Sequence, residues 1–171
     1  MVAAAEGPAN GTKYIGGRVG YAAGPVNVAV ALGNTEVTAA RDFKAMNVGA
    51  SFNAGFMTVM GQYHRDTVDN QTGADVKQTK TVLGVLVPVG AGTIKASYGR
   101  TAADGTAFDA TQAAVGYVHD LSKRTALYTH FSKISNGSGA NYVIAGNPTL
   151  AAVPNTKPRS TGYEFGVRHS F

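Results

Sequence analysis

Apolar residues alternate with small or polar residues along most of this chain. The cleanest example lies between residues 26 and 33, where every second residue is Val or Leu and the residues between them are Asn, Ala and Gly. A period of two places the apolar side chains on one face of an extended strand and the small or polar ones on the other. The pattern therefore predicts strands with one apolar face rather than helices.

The alternation recurs in segments of about ten residues, each bounded by turn or loop residues. About nine strands are predicted in this way: residues 13–23, 25–34, 43–53, 56–66, 76–87, 93–101, 110–120, 125–135 and 161–171. Their connections alternate between short turns and longer polar loops. For residues 125–135 the faces stay undecided, because Leu127 and Phe131 lie on one side while Tyr128 and His130 lie on the other.

Strand length and alternating loop length together favour an antiparallel transmembrane β-barrel. Its strands run about 9–11 residues, with short turns at one side of the membrane and longer loops at the other. No stretch approaches the roughly 20 apolar residues that a spanning helix needs. A soluble β-sandwich remains the main structural alternative, and expression as a soluble monomer without detergent would support it.

Composition narrows the function classes. The chain has 22 Gly and no Cys among 171 residues, which suits strands and turns and excludes thiolate metal sites. Its net charge of +5 comes from dispersed basic residues, so no dense nucleic-acid footprint is predicted. The four His residues lack paired-ligand spacing, and no nucleophile elbow or phosphate loop occurs. We expect no enzyme activity, no metal and no cofactor.

Four segments resemble the general trimeric porins of Gram-negative bacteria, most closely the β-proteobacterial type (Neisseria, Burkholderia, Comamonas). They are residues 18–25, 90–99, 116–128 and 162–171. The resemblance implies a sixteen-stranded outer-membrane barrel of roughly twice this length, of which the chain matches the C-terminal half. It implies general diffusion of small hydrophilic solutes, a homotrimer, and contacts with outer-membrane lipid, lipopolysaccharide and the assembly machinery. The residues before position 13 do not resemble a signal peptide, which export would need. The expectation is a partial barrel from a truncated product or partial sequence.

Charged residues opposite the apolar faces are the candidate pore lining. Parity places five of them away from lipid: Arg18, Lys80, Lys95, Arg168 and Glu164. A cation on the lipid face at mid-depth would cost about 2–4 kcal/mol, which favours the lumen. Rings of Lys and Arg favour anions in a pore, and the resemblance implies such a role for Arg18 and Arg168. The alternative is that some of these residues lie in loops or at strand ends.

Aromatic residues mark the apolar faces. Tyr163, Phe165, Val167 and Phe171 resemble the C-terminal assembly signal of outer-membrane proteins, although His169 departs from it; an ordinary edge strand is the alternative. Tyr21, Tyr98 and Tyr117 are candidates for the aromatic girdles at the two membrane interfaces.

A second function fits the same strands. The chain could form a small eight-stranded outer-membrane barrel, acting as an adhesin or structural anchor, with residues 1–24 outside the ladder. Such a barrel is filled by its own side chains, whereas the polar faces here are rich in Gly, Ala, Asn and Ser. These small residues favour a wide lumen.

Overall fold

The computed structural model describes residues 1–6, 13–38, 41–70, 73–105, 108–144 and 159–171. These residues form ten β-strands: β1 (Val2–Glu6), β2 (Lys13–Ala23), β3 (Val26–Thr38), β4 (Arg41–Asn53), β5 (Thr58–Asn70), β6 (Val76–Val89), β7 (Gly92–Ala103), β8 (Ala110–Asp120), β9 (Thr125–Asn136) and β10 (Arg159–His169). No helix in the described ranges is long and apolar enough to cross a membrane.

The strands form one antiparallel meander in which each pairs with the next along the chain. Within the described residues β1 and β10 are therefore the two edges, and the sheet is not closed. The all-β antiparallel fold expected from the alternation is confirmed, and an open sheet is consistent with a partial barrel.

One strand was missed by the sequence pattern. β1 pairs with β2 between Val2 and Gly17 and between Glu6 and Lys13, so ten strands replace the nine predicted. Its three consecutive alanines carry no alternation that could reveal two faces. Residues 2–6 and 13–23 both belong to the ladder, so the eight-stranded alternative, which leaves residues 1–24 outside it, is wrong on this point.

Several strands also extend past their predicted ends. β3 reaches Thr38 and β4 begins at Arg41, where the sequence predicts a loop over residues 35–42. Backbone pairing continues there because ladder hydrogen bonds do not depend on side-chain polarity. At the other end of the chain, β10 stops at His169, so Phe171 follows the strand.

The connections differ in length at the two ends of the sheet. At one end, here called the turn end, residues 24–25, 54–57, 90–91 and 121–124 join neighbouring strands. Gly24 and Gly90 have φ of 54° and 57°, a left-handed conformation that glycine adopts without a Cβ clash. The opposite end, the loop end, carries the longer connections between β5 and β6, β7 and β8, and β9 and β10. β3 and β4 depart from this pattern, because only residues 39–40 join them at the loop end.

The sheet is a single layer that leaves one apolar face uncovered. Tyr163, Phe165 and Val167 of β10 are 90 %, 76 % and 61 % exposed. Nearly all of the remaining strands also carry exposed large hydrophobic residues, for example Val19, Leu32, Phe52, Leu83 and Phe131. A continuous apolar surface of this kind needs an apolar solvent, which lipid supplies in a membrane barrel.

Candidate pore-lining face

The register defines which residues share the face opposite the apolar one. Directly paired residues in a ladder lie on the same side of a sheet. One such row runs from Arg18 through Ala31, Asn47 and His64 to Lys80. We call the face that carries this row the inner face, and the opposite one the outer face.

The inner face borders an open cavity. An open cavity of about 680 Å³ is lined from β2 to β9 by Arg18, Asn47, Gln62, Lys95, Ser97 and His130, with small residues such as Ala29, Gly49 and Gly84 between them. No acidic side chain lines this cavity in the part of the chain that the structure describes. The cavity is therefore lined by small residues, polar side chains and two cations.

All five charged residues singled out from the sequence lie on the inner face. Arg18 and Lys80 are in the row described above, and Lys95 pairs with Gly116, which pairs with His130 and then Glu164. Arg168 pairs with Ala126 on β9, and parity along β10 puts it on the side of Glu164. The register brings these residues to one surface, while their role in selectivity stays a prediction.

Lys80 differs from the other inner-face cations because an acid neutralises it. Its Nζ lies 3.3 Å from Asp66 Oδ2, and Asp66 Oδ1 is also 2.7 Å from His64 Nε2. His64 Nδ1 is in turn 3.3 Å from the Asn47 side-chain nitrogen. Sequence parity puts Lys80 on this face but did not reveal its partner Asp66, although Asp66 and His64 stand two residues apart on one strand face.

Arg18 and Lys95 make no ion pair within the described residues. Glu164, the inner-face acid expected from sequence, interacts with the Tyr128 hydroxyl. Tyr128 and His130 lie side by side with ring centroids 5.5 Å apart. The faces of β9 are thereby decided, since Tyr128 and His130 point inward and Leu127 and Phe131 outward.

The aromatic residues singled out from the sequence lie on the outer face or beyond the strands. Tyr163, Phe165 and Val167 share the outer face of β10, and Phe171 follows that strand fully exposed. Tyr21 and Tyr117 lie near the turn end, whereas Tyr98 is in the middle of β7. Whether these residues act as an assembly signal and as girdles stays a prediction.

Ion pairs on the outer face at the loop end were not foreseen. Lys44 Nζ is 2.7 Å from Asp69, Arg65 is 3.3 Å from Asp104, Lys77 is 3.6 Å from Asp75, and Arg100 is 3.4 Å from Asp109. Lys133 and Arg159 lie on the same face of β9 and β10. Their signal in the sequence was hidden because several of them fell in or beside predicted loops.

The described ranges hold no group of three or more His, Asp or Glu side chains suited to a metal ion.

Comparisons with known proteins agree on one family. The model of the Gram-negative porin family matches residues 2–167. The chain is 31 % identical over 163 residues to outer membrane porin protein 32 of Delftia acidovorans. The matched region covers 93 % of this chain and 46 % of that protein.

Solved structures share the fold. An anion-selective porin from Comamonas acidovorans superimposes with a TM-score of 0.79 at 32 % identity, over 93 % of this chain and 49 % of that one. A loop-deletion form of OmpT, an outer membrane protein of Vibrio cholerae, has a TM-score of 0.68 at 13 % identity, over 93 % and 54 % of the two chains. That second likeness supports the fold alone.

The resemblance to porins predicted from sequence is confirmed, and the chain spans about half the length of the relatives it matches. The family and its relatives are outer-membrane proteins, which agrees with the uncovered apolar face of the sheet. This chain belongs to the Gram-negative porin family.

Proposed function

We propose that this chain forms part of the wall of a general-diffusion porin in the outer membrane, passing small hydrophilic solutes and ions with a preference for anions. The observation that carries the proposal is the inner-face cavity, which has Arg18 and Lys95 in its lining and no acidic side chain among its described residues. The protein acts as a channel and not as an enzyme.

Electrostatics supports the anion preference. A cation ring lowers the energy of an anion in a pore and raises that of a cation. Arg18 and Lys95 keep their full effect because no acid pairs with them in the described ranges, whereas the field of Lys80 is reduced by Asp66. The solved porin with 32 % identity is named as anion-selective, which supports the same preference for this chain.

The outer face suits lipid as the surrounding partner. Its apolar residues fit acyl chains, and at its loop end Lys133 and Arg159 match the phosphates of lipopolysaccharide. Family likeness supports two further partners, a homotrimer and the outer-membrane assembly machinery. The exposed aromatic residues of β10 are a candidate binding surface for the assembly machinery.

The test is the reversal potential across a planar bilayer under a salt gradient, measured on the porin that carries this chain. Replacing Arg18, Lys95 and Arg168 together by Gln should move the anion-to-cation permeability ratio toward unity, because three cations leave the inner face. Lys133→Gln on the outer face is the matched control and should leave the ratio unchanged. An unchanged reversal potential in the triple variant would refute the selectivity proposal.

A further inference from the structure

The segment after β9 turns back over the inner face instead of leaving the sheet. Residues 137–144, here called the return segment, begin with the Gly137 amide donating to Asp109 O at 2.6 Å. The Asn136 side chain then holds Tyr142 at both backbone groups, donating to its carbonyl at 2.9 Å and accepting from its amide at 3.1 Å. These bonds fix the direction of the chain as it returns.

The return segment makes the main apolar contact on the inner face. Ala110 of β8, Ile134 of β9 and Ala140 of the segment form a buried cluster, against which Ile144 packs. Ala140 is only 1 % exposed. Because Ala140 packs against Ala110 and Ile134 of the sheet, the segment lies against the wall at this point.

Two further contacts show how far the segment reaches. Ile144 donates its amide to Ser160 Oγ at 3.0 Å and lies over Gly162, both on the inner face of β10. The Tyr142 hydroxyl accepts a hydrogen bond from the Gln78 side chain on β6 at 3.1 Å. β6 and β10 are four strands apart, which is about 19 Å along the sheet.

A segment attached at points this far apart crosses the inner face and occupies part of the space in front of it. Small residues make room for it, because a side chain on Gly162 would collide with the Ile144 side chain. We propose that the return segment is a built-in constriction of the pore, with Tyr142 and Ile144 as the residues that set how much of the cross-section stays open. The inference rests on the proposed porin function and adds the element that limits solute size.

The placement can be tested by a disulfide between Ile144→Cys and Gly162→Cys. A Cβ on Gly162 would lie 3.4 Å from the Ile144 Cβ, close to the roughly 3.5–4.5 Å that a disulfide requires. The chain has no cysteine of its own. Ile144→Cys with Thr161→Cys is the matched control, since Thr161 is adjacent in sequence but lies on the outer face. Bond formation in the first pair and not in the second is expected; equal bonding in both, or in neither, would overturn the placement.

The effect on the pore is tested by single-channel conductance in planar bilayers. Tyr142→Ala should raise the conductance of the porin that carries this chain by roughly 1.5-fold, because the side chain that reaches β6 is removed from the cross-section. Tyr142→Phe keeps the ring and loses only the hydroxyl, so its conductance should stay close to wild type. If Tyr142→Ala conducts like wild type, the constriction is refuted while the porin function stands; if no variant and no wild-type protein conducts, it is the porin function that fails.

Discussion

Asp66 is the residue that separates Lys80 from the other cations of the inner face. Asp66 contacts both Lys80 and His64, so its negative charge largely offsets the positive charge of Lys80. Arg18 and Lys95 have no such partner in the described ranges. If the inner face lines a pore, as proposed, these cations are expected to contribute unequally to its selectivity, even though parity puts them on the same face.

This inequality gives a prediction at the residue scale. Asp66→Asn should raise the anion-to-cation permeability ratio by roughly 1.5-fold, because it leaves the Lys80 charge uncompensated at the pore wall. The ratio is obtained from the reversal potential in a salt gradient. Asp69→Asn is the matched control, since Asp69 pairs with Lys44 on the outer face and its loss should not change the ratio. A fall in the ratio for Asp66→Asn would contradict the assigned role of Lys80.

At the scale of the element, β10 shows how one strand serves two surroundings. Phe165 faces outward with 76 % of its surface exposed, while its neighbour Glu164 lies on the inner face and interacts with Tyr128. The terminal alternation that predicted this strand also predicted its two faces. A charge is expected to be tolerated on one face and to be costly on the other.

Phe165→Arg should therefore lower the free energy of unfolding by about 2–4 kcal/mol, the cost of placing Arg on the lipid side of a barrel. Glu164→Arg, one residue away on the inner face, should cost much less because water reaches it. Urea unfolding in lipid bilayers measures both variants. Equal destabilisation by the two substitutions would contradict the assignment of the β10 faces.

The elements also show where sequence patterns fall short. Period-two alternation predicted the faces of strands such as β3 and β4, because Val and Leu there stand against Asn, Ala and Gly. It could not decide β9, where both faces carry rings; the pairing of Tyr128 with Gly166 and of Phe131 with Tyr163 decides it. Such pairing depends on two strands together, so the sequence of either strand alone does not predict it.

The return segment was missed for a related reason. Residues 136–160, between the last two predicted strands, are rich in Gly, Asn, Pro and Ala, which predicts one long loop. Nothing in their spacing predicts contact with β6 or β10. The consecutive residues Tyr142, Val143 and Ile144 were the available signal, since three large apolar residues are unusual in an exposed loop. Their partners, Gln78 and Gly162, lie too far along the chain to be recognised from sequence alone.

At the scale of the whole molecule, the two faces of the sheet suit two different solvents. The outer face matches lipid through its uncovered Val, Leu and aromatic residues, and the inner face matches water through its small residues and cations. Within the described residues β1 and β10 each have one unpaired edge. Lipid offers no hydrogen-bond partners to the backbone groups at such an edge, so these groups must pair with other protein strands. Because the chain spans about half of its relatives, further strands of the same porin are the proposed partners.

The central claim, that the inner face lines a water-filled pore, is tested most directly by cysteine accessibility during current recording. Ser51→Cys on the inner face and Val48→Cys on the outer face of β4 are compared in the porin that carries this chain, with a negatively charged, water-soluble thiol reagent. The reagent should modify Ser51→Cys and lower its anion current, because it adds a negative charge to the pore wall, and should leave Val48→Cys unchanged within the lipid. Modification of Val48→Cys with no effect on Ser51→Cys would contradict the assignment of the two faces.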